Sequence, residues 1–271
     1  MQTIKPFVKW AGGKIRIIED IKANLPSFYN RYFEPFLGGG SVLFSLQPSV
    51  ACVNDINPFL INAYTQIRDN CEQVIARIKE LQARQDKWAY LLNREKFNTK
   101  QRKKALDAEA CALFVYLNKT CFNGLYRENG KGLFNVAWGG QFQYFIFEED
   151  NIREVSRFLQ NVCIYNMDFE PFCSEVKSED FVYFDSPYVA LNDTANFNRY
   201  TKEAFTEQDH RRLFSLYRRL DRLGAKLMLS NHDTEFIRKL YADYRINEVK
   251  VWRTIGQSTD FQAGEVIVTN Y

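Results

Sequence analysis

The feature that most constrains this chain is a rhythm of short apolar runs. YFEPF (32–36), SVACVN (49–54), NVCIYN (161–166), FVYFD (181–185), AKLMLSN (225–231), INEVKVW (246–252) and EVIVTNY (265–271) are rich in β-branched and aromatic residues and bounded by Gly, Asn or Pro. They read as strands. Amphipathic stretches follow several of them. TEQDHRRLFSLYRRL opens at Thr206 with Asp209 three residues on, a variant capping box, and Gly224 lies just past its end. Strands alternating with helices predict an α/β fold, a mostly parallel, doubly wound, Rossmann-like sheet. The rhythm stops after the second strand. Residues 57–146 are mainly helical, with one hairpin expected around RENGKGLFNV, where Asn129-Gly130 supplies the turn. The prediction is a main domain of residues 1–56 and 147–271 with a helical subdomain, 57–146, inserted into it.

Composition narrows the class. The chain has 271 residues, enough for one large domain or a main domain with an insert. Apolar residues make up 46% and charged residues 25%, ordinary for a globular protein. No apolar run approaches the length needed to cross a bilayer. The opening MQTIKPFVKWAGGK lacks the long apolar stretch and cleavage site of a signal peptide. No membrane partner is expected, and cytoplasmic residence is. The six cysteines (52, 71, 111, 121, 163, 173) form no CxxC pair and no zinc spacing with His210 and His232, so they read as reduced thiols and no metal is expected. A net charge of +3 is too small to prove a polyanion partner. Its distribution says more: NREKFNTKQRKK (93–104) is dense in Lys and Arg, fit either to neutralise phosphates or to form a solvated helix end. A monomer is the default.

In open α/β sheets, ligands bind beyond the carboxyl ends of the strands, and three strand ends here carry suggestive residues. FEPFLGGGS (33–41) places consecutive glycines after a strand, which lets backbone approach a ligand closely or simply makes a tight turn. It is neither GxGxxG nor GxxxxGK[ST], so neither dinucleotide nor nucleoside-triphosphate binding is supported. Asp55 in VNDIN ends the next strand, placed either for the two hydroxyls of a ribose or as a helix N-cap. The third is Asp185-Ser186-Pro187-Tyr188. The amine of a purine is a poor nucleophile because its lone pair is delocalised into the ring. A carboxylate and a fixed backbone carbonyl aimed at its two protons favour pyramidal nitrogen and localise that pair. An aromatic face beside them can stack on a base swung out of its duplex. The alternative is an ordinary strand-end turn.

FVKWAGGK (7–14), YFEPFLGGGSVLF (32–44), VNDIN (53–57), NGLYRENGKGLFNV (123–136) and DSPY together resemble the Dam-type, alpha-group DNA adenine-N6 methyltransferases of the D12 class, in the order cofactor motifs, target-recognition region, catalytic tetrad. The resemblance spans nearly the whole chain. It implies a Rossmann-like methyltransferase sheet that uses S-adenosylmethionine, yields S-adenosylhomocysteine, needs no metal and acts on double-stranded DNA. By this resemblance Trp10 and Lys14 belong to the N-terminal cofactor motif, with Lys14 on the methionine carboxylate. Glu34, Gly38 and Gly40 line the methionine side, and Asp55 takes the ribose hydroxyls. Asp168 and Phe169 contact the cofactor's adenine. Asp185 and the Ser186 carbonyl, with Pro187 behind them, accept from the target amine, and Tyr188 stacks on the flipped base. In the insert, Arg127 and Leu125 contact bases, Phe122 wedges into the stack, Asn123 holds the displaced strand, and Lys9 reaches a guanine edge. The implied target is GATC. The basic run at 93–104 becomes a phosphate contact, and NHD (231–233) also resembles the family.

This chain departs from the family pattern in two places. The usual tetrad is Asp-Pro-Pro-Tyr. Ser186 keeps the carbonyl and still precedes a proline, but loses the ring that fixes its own φ, which predicts a weakened enzyme that Ser186→Pro would speed. Where the family commonly reads Asn-Val-Pro-Phe-Gly-Arg-Tyr, this chain has Asn135-Val136-Ala137-Trp138-Gly139-Gly140-Gln141, so a basic residue expected near DNA is missing and recognition of one flank of GATC is weakened. The leading reading is an adenine-specific DNA methyltransferase. The runner-up is a weakened or inactive DNA-binding homologue of the same fold. A dehydrogenase using NAD fails on the missing GxGxxG and leaves DSPY unexplained.

Overall fold

A computed structural model describes residues 4–84, 86–140, 147–189, 205–255 and 258–271. The chain runs α1 (Ile18–Ala23), β1 (Tyr32–Glu34), α2 (Ser41–Leu46) and β2 (Ala51–Asn54). There follow α3 (Pro58–Asp69), α4 (Cys71–Gln82), α5 (Lys87–Lys103), α6 (Ala108–Thr120) and α7 (Glu149–Leu159). The strand–helix rhythm then resumes with β3 (Val162–Tyr165), α8 (Phe169–Phe172), β4 (Phe181–Phe184), α9 (Glu207–Arg222), β5 (Lys226–His232) and α10 (Glu235–Leu240). It closes on β6 (Arg245–Ile255) and β7 (Ser258–Thr269). Each of the seven apolar runs became a strand of one sheet, in the order β3-β2-β1-β4-β5-β7-β6. Pairing is parallel from β3 through β5, and β7 runs antiparallel to both β5 and β6. The chain starts at the central β1, winds outward to β3, then crosses back to β4 on the other side of β1. That reversal creates the crevice where doubly wound sheets bind ligands.

β1, β2 and β4 are buried along their whole length because both faces of the sheet's centre are covered. Side chains alternate across the sheet. Tyr32, Val53, Phe181, Tyr183, Met228 and Ile267 enter one core with residues of α3, α4, α6 and α7. Phe33, Val182, Phe184, Leu227, Leu229 and Val268 enter the other with α8, α9 and α10. The helices between β2 and β3 therefore share a continuous core with the first sheet face. Their starts are fixed locally. Asn57 Oδ1 accepts from Phe59 and Leu60 N–H, with Pro58 at the first turn. Asp86 and Asp107 cap α5 and α6, and Thr206 and Asp209 form the reciprocal box expected at α9. Each cap is worth about 1 kcal/mol.

The hairpin forms where expected but with a different turn. Glu128 and Phe134 make an isolated antiparallel bridge. Gly132 N–H donates to Asn129 O at 2.8 Å, and the Asn129 side chain accepts from Lys131 N–H at 2.9 Å and Leu133 N–H at 3.2 Å. Asparagine thus serves as a side-chain bracket, and the left-handed residue is Gly132 (φ 72°), not Asn129 or Gly130. Gln141 and the end of the expected insert at 146 lie outside the described residues. No disulfide joins the cysteines. Among the described residues no helix is long and apolar enough to cross a membrane.

Candidate active site

Three strand ends meet at the crevice. After β1 the chain turns through Leu37–Gly40, and the turn is locked from several sides. Asp55, just past β2, accepts from Gly38 N–H (Oδ2, 2.9 Å) and Asn57 N–H (Oδ1, 2.9 Å). Tyr64 of α3 donates its hydroxyl to Gly38 O at 3.1 Å. The glycines have a steric reason beyond ligand approach. A Cβ on Gly38 would lie 2.8 Å from Trp10 Cδ1, and one on Gly40, held at φ 69°, would lie 2.7 Å from the Tyr64 hydroxyl. Burial raises the Asp55 pKa, and the backbone N–H groups that it accepts pull it back. Glu34, at the end of β1, is buried and accepts from Tyr32 OH at 2.8 Å. Burial pushes its pKa well above the carboxylate range, which favours the protonated acid, while the Tyr32 hydroxyl pulls it back.

Beside this turn, β4 ends in the tetrad. Asp185 Oδ1 takes the Lys14 ammonium at 2.7 Å and the Ser230 hydroxyl at 3.3 Å, which leaves Oδ2 as acceptor. Burial raises the Asp185 pKa against the opposing pull of Lys14. Lys14 is itself buried. It also donates to Gly12 O and lies 4.4 Å from the centre of the Tyr188 ring. The structure therefore places Lys14 on the tetrad. An ammonium has three N–H donors, so a cofactor carboxylate can join these partners. Ser186 is buried and its hydroxyl faces the Asn231 side-chain amide at 3.5 Å. Tyr188 donates to Glu265 Oε2 at 3.0 Å and meets the His232 ring edge-on at 4.7 Å.

Asp168 and Phe169 open α8 on the neighbouring side of the crevice. Asp168 caps that turn through Glu170 N–H and pairs with Arg212 of α9 at 2.7 Å. The Arg212 guanidinium lies 4.3 Å from the centre of the Phe169 ring, and Phe36 from the β1 loop packs 5.3 Å from that ring. These aromatics connect the expected adenine end to the glycine turn.

The recognition candidates form a second group. Asn118 of α6, buried, accepts from Lys9 N–H at 2.7 Å and donates to Lys9 O at 2.8 Å and Gly124 O at 3.1 Å. A Cβ on Gly124 would lie 2.4 Å from Lys9 Cδ, so the glycine lets Lys9 lie across the loop. Phe122 is 52% exposed, and Asn123, exposed, takes a left-handed φ of 55°. Arg127 is exposed and its Nε donates to Asn135 Oδ1 at 2.9 Å. Leu125 is only half exposed and packs on the core. Trp10 stacks on Tyr126 at 5.6 Å, joining the N-terminal motif to the same loop. The basic run splits: Lys100 is tied to Asp107 and Glu109 at 2.7 Å each and Arg102 to Glu95 at 2.8 Å, whereas Lys96, Lys103 and Lys104 are exposed.

The profile of the D12 class N6 adenine-specific DNA methyltransferases matches residues 10–255, from Trp10 past the tetrad and β5. The chain belongs to that family. This D12 methyltransferase is 39% identical to the type II methyltransferase M1.LlaDCHI of Lactococcus lactis subsp. cremoris, over 99% of this chain and 96% of that protein. It is 40% identical to the type II methyltransferase M.MjaIII of Methanocaldococcus jannaschii, over 99% of both. It is 32% identical to the DNA adenine methylase of Escherichia coli K12, over 95% of this chain and 91% of that protein. Its mostly parallel seven-stranded sheet is the Rossmann-like arrangement expected of such an enzyme.

The sequence did not single out several residues that hold this methyltransferase's site. Ser230 and Glu265 touch the tetrad, as does Asn231, met in the sequence only as the first residue of NHD; Arg212 touches Asp168 and Phe169, and Asn118 ties Lys9 to the loop. Their signal was faint. Ser230 and Asn231 end a strand, where polar residues pass for turn residues, and Arg212 lies on a helix face rich in arginine. NHD alone stood out, without a role attached.

Proposed function

We propose that this D12 methyltransferase transfers the methyl group of S-adenosylmethionine to N6 of an adenine swung out of duplex DNA, within GATC. The observation that carries the reading is the end of β4. There a half-buried carboxylate with one oxygen left as acceptor, a carbonyl ahead of a proline and an aromatic ring share the crevice at the chain reversal. Asp185 Oδ2 and the Ser186 carbonyl would accept the two amine protons, and Tyr188 would stack on the base. The raised proton affinity of Asp185 suits it to hold the proton that the amine sheds.

S-adenosylmethionine supplies, when bound, a methyl already activated on sulfonium, so transfer asks for alignment and a localised lone pair. The residues fit that group. Asp55 spends one lone pair of each oxygen on backbone N–H and keeps the others for two ribose hydroxyls. Glu34, Gly38, Gly40, Trp10 and Lys14 would hold the methionine end, and Asp168 and Phe169 the adenine. Residues 57–146 would read the sequence through Arg127 and Leu125, with Phe122 filling the vacated stack, Asn123 on the displaced strand and Lys9 on a guanine edge. The likeness to Dam-type enzymes favours GATC. The absence of a basic residue at Gly140 weakens one flank.

Transfer of labelled methyl to unmethylated duplexes with and without GATC, followed by digestion to nucleosides, tests both parts. Label in N6-methyladenine confined to GATC is the expected result. Label at other adenines would replace the target assignment, and no label on any duplex would overturn the reaction.

A further inference from the structure

Asn231 is fully buried at the end of β5, and its one amide reaches both ends of the segment that carries the tetrad. Its Oδ1 accepts from Val189 N–H at 3.1 Å and from His232 N–H at 2.9 Å, and its Nδ2 donates to Ser186 Oγ at 3.5 Å. Pro187 and Tyr188 lie between the two anchored residues. The neighbours extend the same grip. Ser230 donates to Asp185, His232 Nδ1 bonds Val189 O at 2.8 Å, and Glu265, which pairs with His232 across the β5–β7 ladder, accepts from Tyr188.

A proline at position 186 would fix its own φ by a ring. Serine there is restricted in ψ by Pro187 but free in φ. The catalytic reading of the tetrad needs the Ser186 carbonyl held in one direction, because a swinging acceptor cannot localise a lone pair. Ser186 also buries a hydroxyl, and a buried hydroxyl without a partner is costly. Asn231 answers both needs: its Nδ2 donates to the Ser186 hydroxyl oxygen, and its Oδ1 accepts from Val189 N–H three residues later.

We propose that Asn231 is a positioning residue for methyl transfer, and that its hold on Ser186 and Val189 supplies the constraint that a proline at 186 would otherwise give. The inference rests on the tetrad being the acceptor of the target amine. It predicts a coupling between Asn231 and position 186 that a purely structural asparagine would not show.

A double-mutant cycle reads that coupling. Single-turnover transfer rates are compared for the native chain, Asn231→Ala, Ser186→Pro and the double variant, alongside KM for S-adenosylmethionine, Kd for DNA and Tm. Asn231→Ala should slow transfer roughly thirtyfold in the serine background and less than about threefold in the proline background, a coupling of about tenfold. KM and Kd should move by less than about twofold in either background, since the residue positions an acceptor and touches neither ligand. Equal losses in both backgrounds would overturn the proposal.

If Asn231→Ala does not fold, Ser186→Ala decides the matter. It keeps the carbonyl and removes the hydroxyl, so it should transfer more slowly than both the native chain and Ser186→Pro. A Ser186→Ala rate equal to the native rate would overturn the proposal. The parent reading fails separately, by retained turnover in Asp185→Ala. An additive cycle with a dead Asp185→Ala sinks the staple alone.

Discussion

The end of β4 and the loop at residues 122–135 are built on opposite plans. At the tetrad, functional side chains are sunk: Ser186 and Lys14 are buried and Asp185 is half-buried, and each is tied to neighbours by charge or hydrogen bonds. In the loop the backbone is tied down while the functional side chains stand out. Tyr90 OH holds Val136 O at 2.8 Å, Gln101 Oε1 accepts from Phe134 N–H at 2.9 Å and Asn118 grips Gly124, yet Phe122, Asn123 and Arg127 face solvent. The difference fits the tasks proposed for the two regions. An acceptor that reshapes an amine works in low dielectric with fixed dipoles. A reader of base edges has to project from a protein surface into a groove.

The largest effect should fall on the buried side of this contrast. Asp185→Ala removes the carboxylate acceptor and should lower transfer by about a thousandfold or more, with affinity for S-adenosylmethionine nearly retained. Isothermal titration beside a labelled-methyl assay separates the two, and retained turnover would remove Asp185 from the mechanism. In the native enzyme the acceptor has to be ionised. Because the folded pKa of Asp185 is raised, the rate should fall with acid at a pH above the ordinary aspartate range, and a pH–rate profile would locate that limb.

The joint between the two plans comes next. Asn118 makes three hydrogen bonds that connect Lys9 to Gly124, and it is buried. Asn118→Ala leaves two carbonyls and an N–H without partners, which should cost roughly 3–4 kcal/mol in urea unfolding. DNA affinity should drop by more than cofactor affinity. Equal losses would mean that the loop and the crevice are one unit rather than two.

How far each plan was legible follows from the same contrast. The central strands were legible because burial on both faces leaves runs such as FVYF with no polar interruption. The tetrad and glycine turn were legible because Asp-Ser-Pro-Tyr and Gly-Gly-Gly are rare words with strong backbone consequences. The bracing role of the residues around them was not. Asn231 matters through Val189, 42 positions away, and Glu265 through Tyr188, 77 positions away, so only strand order brings them together. Pairing over such distances leaves no local pattern. In the hairpin the Asn-Gly pair pointed to the right place, but Asn129 satisfies two N–H groups with its side chain and passes the left-handed conformation to Gly132. The missing basic residue is also more than a deletion, since Gly140 holds φ 95°, which an arginine would rarely adopt.

Acid should separate the two regions in stability. Both histidines of the chain lie on the sheet side. His210 of α9 is buried against Phe205 and Phe236, and that burial lowers its pKa from 6.5 to about 4 despite Asp209 and Glu207 nearby. Above pH 6.5 the residue is neutral both folded and unfolded and contributes no pH dependence. Below it the unfolded chain takes up a proton that the folded chain resists until about pH 4. Stability should therefore fall by about 3 kcal/mol across that window and level off beneath it. Urea unfolding at several pH values, with His210→Leu as control, checks the sign: the variant should show a flatter curve. Hydrogen exchange at pH 5 should rise first in α9 and β5, and a first rise in α6 would contradict the assignment.

The smallest effect belongs to the exposed plan and tests what kind of contact it makes. Arg127 carries its charge on a side chain held by a single hydrogen bond to Asn135 and buries little, so Arg127→Ala should leave unfolding free energy within about 0.5 kcal/mol. If its guanidinium forks onto a guanine, the variant loses ~1–3 kcal/mol of discrimination at that base pair. The rate on the preferred site would fall modestly, and rates on sites altered at that one position would rise relative to it. Competition between matched and singly altered duplexes at fixed salt measures this ratio. A uniform loss on all duplexes, with a salt dependence of Kd shallower by about one charge, would make Arg127 a phosphate contact instead. That result would leave the loop's reading of sequence to Leu125 and Lys9, one half sunk in the core and the other lying across Gly124.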